Sequence, residues 1–384
     1  MLTDTVPYTQ AITSMSEKTK WKEAMDNEFN SLMNHSTGEL VPYPKNNEKV
    51  IGGMWCLTRK RNEFGEVYCY KAQWEVFGNH QEHLLHYFDT WASVGRNETF
   101  KTMLSLVINI NLIAYQFDIE TAFLHGDMDT IVYFKQVKGY EQVGKENWVW
   151  RLKRSLYGTK QAPRMWKEKL TKVLADLDLF SLKSDKSLFI TRDYSLMLHI
   201  HVDNAKSKFG IYFNMEKNEI LINQSDLIYK LLNEHDMIYC KAVKTSCNGN
   251  FLQEIDDNSE TINLTEYQQA IGSLNYLAQH SRPDIMFTVN QLSRFSTSPA
   301  TKQWKALKHL LRYLKGKLIF NLSYKKSQSS LSISILMGWA DTDDANARED
   351  RKSISGYVVQ VYENPVCWLN KRQSVVAQST TESE

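Results

Sequence analysis

Charge of one sign is what this sequence most plainly lacks. Across 384 residues, 46 basic and 44 acidic side chains leave a formal net charge of +2. The overall balance therefore neither demands nor excludes a nucleic-acid partner, and only local patches can decide. Cysteine is scarce and odd in number: Cys56, Cys69, Cys240, Cys247 and Cys367. No pair has the spacing of a zinc ribbon, and the scatter argues against a disulfide framework. The opening MLTDTVPYTQ has no basic-then-apolar leader. The longest apolar run, near Met103–Ile110, is too short to cross a bilayer. No internal repeat or low-complexity tract stands out. These absences point to a reduced, intracellular protein that is not embedded in a membrane. What is present is core material: 42% hydrophobic and 12% aromatic residues, enough for two or three domains.

Periodicity divides the chain. SEKTKWKEAMDNEFNSLM at 16–33 places Trp21, Met25, Phe29, Leu32 and Met33 at helical spacing, with Ser16 as a plausible cap. GGMWCLTRKRNEFGEVYCYKAQW reads as strands around a turn at Gly65. Residues 98–112 look helical. IAYQFDI at 113–119 reads as a buried strand ending in an acid, and TAFLHGD as a turn into a short helix. IVYFKQV is another strand, and APRMWKEKLTKVLADLDL a long amphipathic helix with Pro163 near its start. Residues 240–263 are polar and aperiodic, a linker. Beyond it lie two strong helices. In TKQWKALKHLLRYLKG the stripe is Trp304, Leu307, Leu310, Leu311 and Leu314, with Gly316 as the expected C-terminal cap. From Leu331 onward the pattern turns to strands.

Two strand ends carry candidate chemistry. An acid closing an apolar strand, as Asp118 does, is costly to bury unless it is paired or holds a cation; a helix cap or a surface acid is the plainer reading. LHIHVDN at 198–204 alternates: Leu198, Ile200 and Val202 face one way, His199, His201 and Asp203 the other. Two histidines and an aspartate on one face could hold a metal such as zinc. Alternatively, Asp118 and Asp203 could converge on Mg²⁺ with a phosphate-binding turn between them, the arrangement that two-metal nucleotidyl transfer requires.

FDIETAFLHGDM, LYGTKQAPRMW and the later VDN, in this order, resemble the reverse transcriptase of copia-type retrotransposons. The resemblance begins at WKEAMDNEF and runs through the YKA segment at 70–72. It continues through AIGSLNYLAQHSRPDI, LSRFSTSPATKQWKALKHLLRYLKG, GWADTDDANAREDRKSISGYVV and SVVAQSTTESE, covering nearly the whole chain. It implies an α+β right-hand polymerase with fingers, palm and thumb, followed by an incomplete ribonuclease H-like α/β domain. The expected divisions are fingers and palm at 16–239, thumb and connection helices at 240–330, and the start of the nuclease domain at 331–384. The implied chemistry is templated DNA synthesis with Mg²⁺ or Mn²⁺ on an RNA or DNA template-primer, using deoxynucleotides. The implied companions are the capsid, protease and integrase segments of a polyprotein.

Roles carry over by position. Asp118 matches the first catalytic carboxylate and a ligand of both metals. Phe123 matches the aromatic gate that excludes a 2′-OH, besides packing in a core. Gly158, Gln161, Pro163 and Arg164 match the turn that shapes the nucleotide pocket. Asp203 matches the retained carboxylate of an aspartate pair. Asp341 and Glu384 match the first two metal-binding carboxylates of the nuclease.

This copy also departs from the family pattern. Asn204 replaces the second aspartate of the pair, a neutral and weak cation ligand, and His201 replaces an aromatic residue. KSKFGIYF follows almost at once, so that roughly thirty or more residues look missing, beyond loop-length variation; the loss would include the helix that backs the catalytic hairpin. In YKAQWEVFG, Gln73 and Phe77 stand where the family grips the triphosphate with Arg and Lys, and Glu75 adds an anion. Polymerase activity is expected to be impaired or lost, and nuclease activity absent because the acidic cluster is incomplete. Two other readings stay open: a nucleic-acid-binding remnant using Lys302, Lys305, Lys308 and Arg312 on one helix face, and the His-x-His metal protein.

Overall fold

The computed structural model describes residues 2–45, 48–61, 66–200, 210–214, 219–248, 262–327, 335–343 and 351–377, together with residues 379 and 382. Eight α-helices are found among them: α1 (Tyr8–Thr13), α2 (Lys18–Asn34), α3 (Asn97–Asn109), α4 (Ala162–Asp176), α5 (Ser225–Glu234), α6 (Leu264–His280), α7 (Met286–Ser293) and α8 (Thr301–Gly316). The chain forms two compact units: one of residues 1–95 and 117–204, the other of residues 96–116 and 205–384.

In the first unit, β1 (Leu2–Val6) pairs antiparallel with β4 (Gly53–Arg61), which pairs with β5 (Val67–Val76). Alternation places Trp55 and Leu57 of β4 and Ala72, Trp74 and Val76 of β5 in the core with Trp21, Met25 and Leu32 of α2. The expected helix at 16–33 is thus present, but Glu17 precedes its first turn and Ser16 does not cap it. The hairpin at 53–76 is present as well; its turn residue Gly65 lies outside the described residues. A second sheet in the order β2 (Gly38–Val41), β7 (Val149–Leu152), β6 (Tyr133–Lys135), β3 (Val50–Ile51) shares this core. A smaller sheet joins β8 (Phe180–Ser181), β9 (Leu188–Ile190) and β10 (Met197–His199). Its Phe189 packs with Trp166, Leu170 and Leu174 of α4.

Edge strand β5 is closed off rather than left open. The Trp74 amide donates to Glu28 Oε1 at 3.2 Å, and the Val76 amide donates to the Tyr157 carbonyl at 2.9 Å. Unpaired edges invite misassembly, and these contacts cover this one. The second contact brings two backbones together at Gly158, whose φ is +89° and where an added Cβ would lie 2.1 Å from the Val76 carbonyl oxygen. Only glycine fits there.

In the second unit, β11 (Gly210–Asn214), β12 (Glu219–Asn223) and β13 (Leu322–Lys325) form one antiparallel sheet. A second antiparallel sheet runs β14 (Leu336–Thr342), β15 (Ile354–Val361), β16 (Asn364–Arg372). The expected stripe of α8 holds: Leu307, Leu310, Leu311 and Leu314 are fully buried. Gly316 is not a left-handed cap. It ends the helix where a Cβ would come within 3.1 Å of Ala242 Cβ, so it admits the passing chain. The late strands share a core with the helices: Trp368 Nε1 donates to the Ala278 carbonyl at 2.8 Å, and Ser105 Oγ to the Val361 carbonyl at 2.6 Å.

One expected element is absent. Residues 112–119 form neither strand nor helix and are exposed throughout; Ile113, Tyr115 and Phe117 are 81%, 85% and 65% accessible. The apolar run was expected to be a buried strand, but a strand needs a neighbour. No sheet among the described residues pairs with it. Past Leu112, whose amide donates to the Val107 carbonyl at 2.9 Å, a segment without ladder partners leaves its apolar side chains exposed.

Two measurements follow from this packing. Gly158→Ala is expected to cost more than the about 1–2 kcal/mol of a left-handed alanine, because the Val76 carbonyl must also move. Gly144→Ala, at φ +78° with open space around it, should cost only the conformational part. Equal denaturation shifts for the two variants would contradict the close approach. The second measurement concerns Lys101, which is buried, with Nζ 3.4 Å from the Trp368 ring centre and 2.9 Å from the Gln279 carbonyl. Burial pulls its pKa from 10.5 to about 7, with Glu98 and Cys367 pulling weakly the other way. Between those values the unfolded chain holds a proton that the folded chain has released, so this residue makes stability rise with pH across that window. Lys101→Met should remove that rise in a pH series of melting temperatures; an unchanged slope would contradict it.

Candidate active site

The residues matched to the polymerase turn are brought together in the first unit. Thr121, at φ +52°, starts a short 3-10 turn over Ala122–His125. This turn presents Phe123, whose ring meets Tyr157 edge-on at 5.2 Å and packs against the α4 cluster. Ser155 Oγ donates to the Phe123 carbonyl. The Tyr157 phenol is pushed up to about 12, first by burial and then by the carboxylates of Glu28 and Asp118. Asp118 thus acts electrostatically on this turn, although it is exposed.

Gln161 is buried and saturated. Its Nε2 donates to the His86 carbonyl at 2.9 Å and to Thr130 Oγ1 at 3.2 Å, and its Oε1 accepts from Gln81 Nε2 at 3.0 Å. Pro163 occupies the first turn of α4, where its missing N–H costs nothing. Arg164 is largely enclosed: it pairs with Asp129, bonds Glu168 Oε1 at 2.6 Å and donates from Nε to the Asp89 carbonyl at 2.9 Å. Its cation is therefore already neutralised by protein acids. None of Gln81, Thr130, Asp129 or Glu168 announced itself in the sequence, because each is paired only by the fold.

In the fingers segment, Gln73 is half-buried opposite Cys56, and Phe77 packs against Gly52 and His80. The Cys56 thiol is pushed up to about 12 by burial and by its hydrogen bond with Glu75. Glu28 titrates above the usual carboxylate range because of burial, opposed by the Trp74 amide and Lys71. This segment thus sets an amide, an aromatic ring and the acids Glu28 and Glu75 near one lysine, Lys71.

His199 does not face solvent as a free ligand. Its ring is buried against Gly95, with Nε2 3.9 Å from Asp185 Oδ2. Leu198 and Ile200 pack against the α4 cluster, as the alternation requires. His201, Asp203 and Asn204 lie outside the described residues, as does Glu384. Asp341 stands exposed on β14, its Oδ1 accepting from the Thr342 amide at 2.9 Å. Among the described residues no three His, Cys, Asp or Glu side chains gather at one point.

On α8, Lys302, Lys305, Lys308 and Arg312 share a face, as their spacing of three and four requires. Lys305 and Lys308 are exposed. Arg312 Nε donates to the Lys241 carbonyl at 2.7 Å, and His309 Nε2 meets the Thr245 carbonyl at 3.0 Å; a carbonyl only accepts, so that nitrogen carries the proton.

The family described as "Reverse transcriptase (RNA-dependent DNA polymerase)" matches residues 35–206. The Retrovirus-related Pol polyprotein from transposon RE1 of Arabidopsis thaliana is 31% identical over 95% of this chain and 27% of its own length. That from transposon TNT 1-94 of Nicotiana tabacum is 29% identical over 97% of this chain and 31% of its own. The chain thus spans about a third or less of these relatives. The RE1 alignment is 396 positions long yet takes in 95% of these 384 residues, so about thirty positions of the relative have no counterpart here. A solved foamy viral protease-reverse transcriptase in complex with double-stranded DNA overlaps 95% of this chain and 58% of its own, at a TM-score of 0.45 and 11% identity. No helix among the described residues is long and apolar enough to cross a membrane. Residues 35–206 belong to the reverse transcriptase family, within a chain homologous along nearly its whole length to the Pol polyproteins of copia-type retrotransposons.

Proposed function

We propose that this chain is a fragment of a copia-type Pol polyprotein whose RNA-directed DNA polymerase chemistry is impaired or lost, and which keeps contact with nucleic acid through α8. The observation that carries this reading is the state of residues 112–119. The segment bearing Asp118 has no partner strand among the described residues and lies in solvent. A catalytic carboxylate must be held to a fraction of an ångström, and no ladder among the described residues fixes this stretch of backbone.

The residue types agree with the reading. If metal were bound, Asp118 and Asp203 would hold Mg²⁺ or Mn²⁺ and supply Lewis-acid stabilisation of the transferring phosphate. Asn204 removes one negative charge from that set, a change of a kind that costs roughly a hundredfold in rate. Gln73 and Phe77 remove two cations from the place where a triphosphate would lie. The unmatched positions of the RE1 relative agree in number with the loss of chain proposed after Asn204. Phe123, Gly158, Gln161, Pro163 and Arg164 are present at the matched positions, so the proposal keeps the nucleotide-pocket turn while the chemistry is lost. For the strands at 336–372 the family role is cleavage of the RNA strand in a hybrid, with Asp341 and Glu384 as metal ligands. The template-primer and the capsid, protease and integrase segments remain the partners proposed from the family. A His-x-His metal protein has less support, because His199 is buried against Asp185.

Primer extension on an RNA template, with Mg²⁺ and with Mn²⁺, tests this reading. The unmodified chain should extend no faster than its Asp118→Ala variant. Extension lost in that variant would show that the carboxylate still works and would overturn the proposal.

A further inference from the structure

Between α8 and the chain at 241–248 lies a cavity of about 370 Å³. Lys302, Lys305, Lys308, His309 and Arg312 line one side, Cys247 and Asn248 the other, and among the described residues no acid lines it. The sequence reading placed four of these cations on a helix face but gave no wall opposite them. The fold supplies one. Arg312 and His309 hold the backbone of residues 241–245 against the helix through the Lys241 and Thr245 carbonyls.

Cations at a spacing of three and four on one helix face repel one another and weaken the helix. Packing does not call for them either: the stripe that builds the core is on the other side, at Leu307, Leu310, Leu311 and Leu314. What such a concave cluster stabilises is an anion. Ammonium and guanidinium donors beside a side-chain amide suit an oxyanion with several acceptor oxygens. The volume falls within the range of small-ligand pockets, roughly 300–1,000 Å³, and takes a group of about nucleotide size.

We infer that this cavity is a phosphate-binding pocket, a half-open cleft with Cys247 at its wall. The phosphate can come from a polynucleotide backbone or from a free nucleotide or pyrophosphate. The first source rests on the nucleic-acid reading of α8 given above; the pocket itself does not depend on Asp118, so polymerase chemistry and this site can fail separately.

Cys247 gives the test. The full chain is treated with N-ethylmaleimide, and each cysteine peptide is quantified, with the other four thiols as internal reference. Pyrophosphate, dAMP and a 20-nucleotide single strand are compared with chloride at matched ionic strength. At least one phosphate-bearing probe should slow modification of Cys247 five-fold or more without slowing the other four. The double variant Lys305→Glu/Lys308→Glu, or Lys305→Gln/Lys308→Gln if the first misfolds, should abolish that protection. Protection by the strand alone assigns a backbone phosphate; protection by pyrophosphate or dAMP as well assigns a free phosphate too. No selective slowing by any probe, or slowing that survives the double variant, would overturn the pocket.

Discussion

A backbone amide leaves water only when it has a partner, and this constraint decides which parts of the chain are built and which are not. Where ladders exist, apolar side chains follow them inward. β4 and β5 pair over nine residue positions and bury Trp55, Leu57, Ala72, Trp74 and Val76. β12 sits between two neighbours and buries Ile220 and Ile222. Residues 112–119 have similar apolar material but no ladder among the described residues, and they are exposed. The segment proposed to carry the first metal-binding acid is therefore one that no described strand seats.

The scaffold around that segment is sound by contrast. Gly158 lets the turn after Tyr157 touch β5, the bonds of Gln161 tie the 81–86 loop to the start of α4, and Pro163 opens the helix. Ionic groups in the same region are spent internally: Arg164 on Asp129 and Glu168, His199 beside Asp185, Glu75 on Cys56. Buried or half-buried charges need such partners, and a charge so engaged is not available to a substrate phosphate. Free positive charge gathers instead on α8, at Lys305 and Lys308.

Local patterns were legible in the sequence. Helical spacing gave α2, α4 and α8 with their buried faces, and alternation gave the hairpin at 53–76 and the strands after residue 331. What could not be read depended on contacts distant in sequence. The run IAYQFDI looks like a buried strand by composition, yet only a neighbour makes it one. LTDTV at 2–6 gave no signal of its own, but it pairs with β4 through Arg59 and Arg61, both on Asp4. Ser16 has the right residue type for a cap at the wrong place, since α2 begins one residue later than such a cap allows. Site residues matched by family position were legible as identities; that Arg164 is neutralised and His199 enclosed was not, because Asp129 and Asp185 are fixed by the fold.

Hydrogen–deuterium exchange of the folded chain, read on the peptide covering residues 112–119, tests the central claim most directly. Unpaired amides in solvent exchange at close to the rate of an unstructured peptide. The account predicts full exchange there within seconds, while the ladder amides of β4 and β5 stay protected for orders of magnitude longer. Protection of 112–119 comparable to that of β5 would mean that the Asp118 segment is seated in a sheet, and would contradict the impaired-polymerase reading at its root.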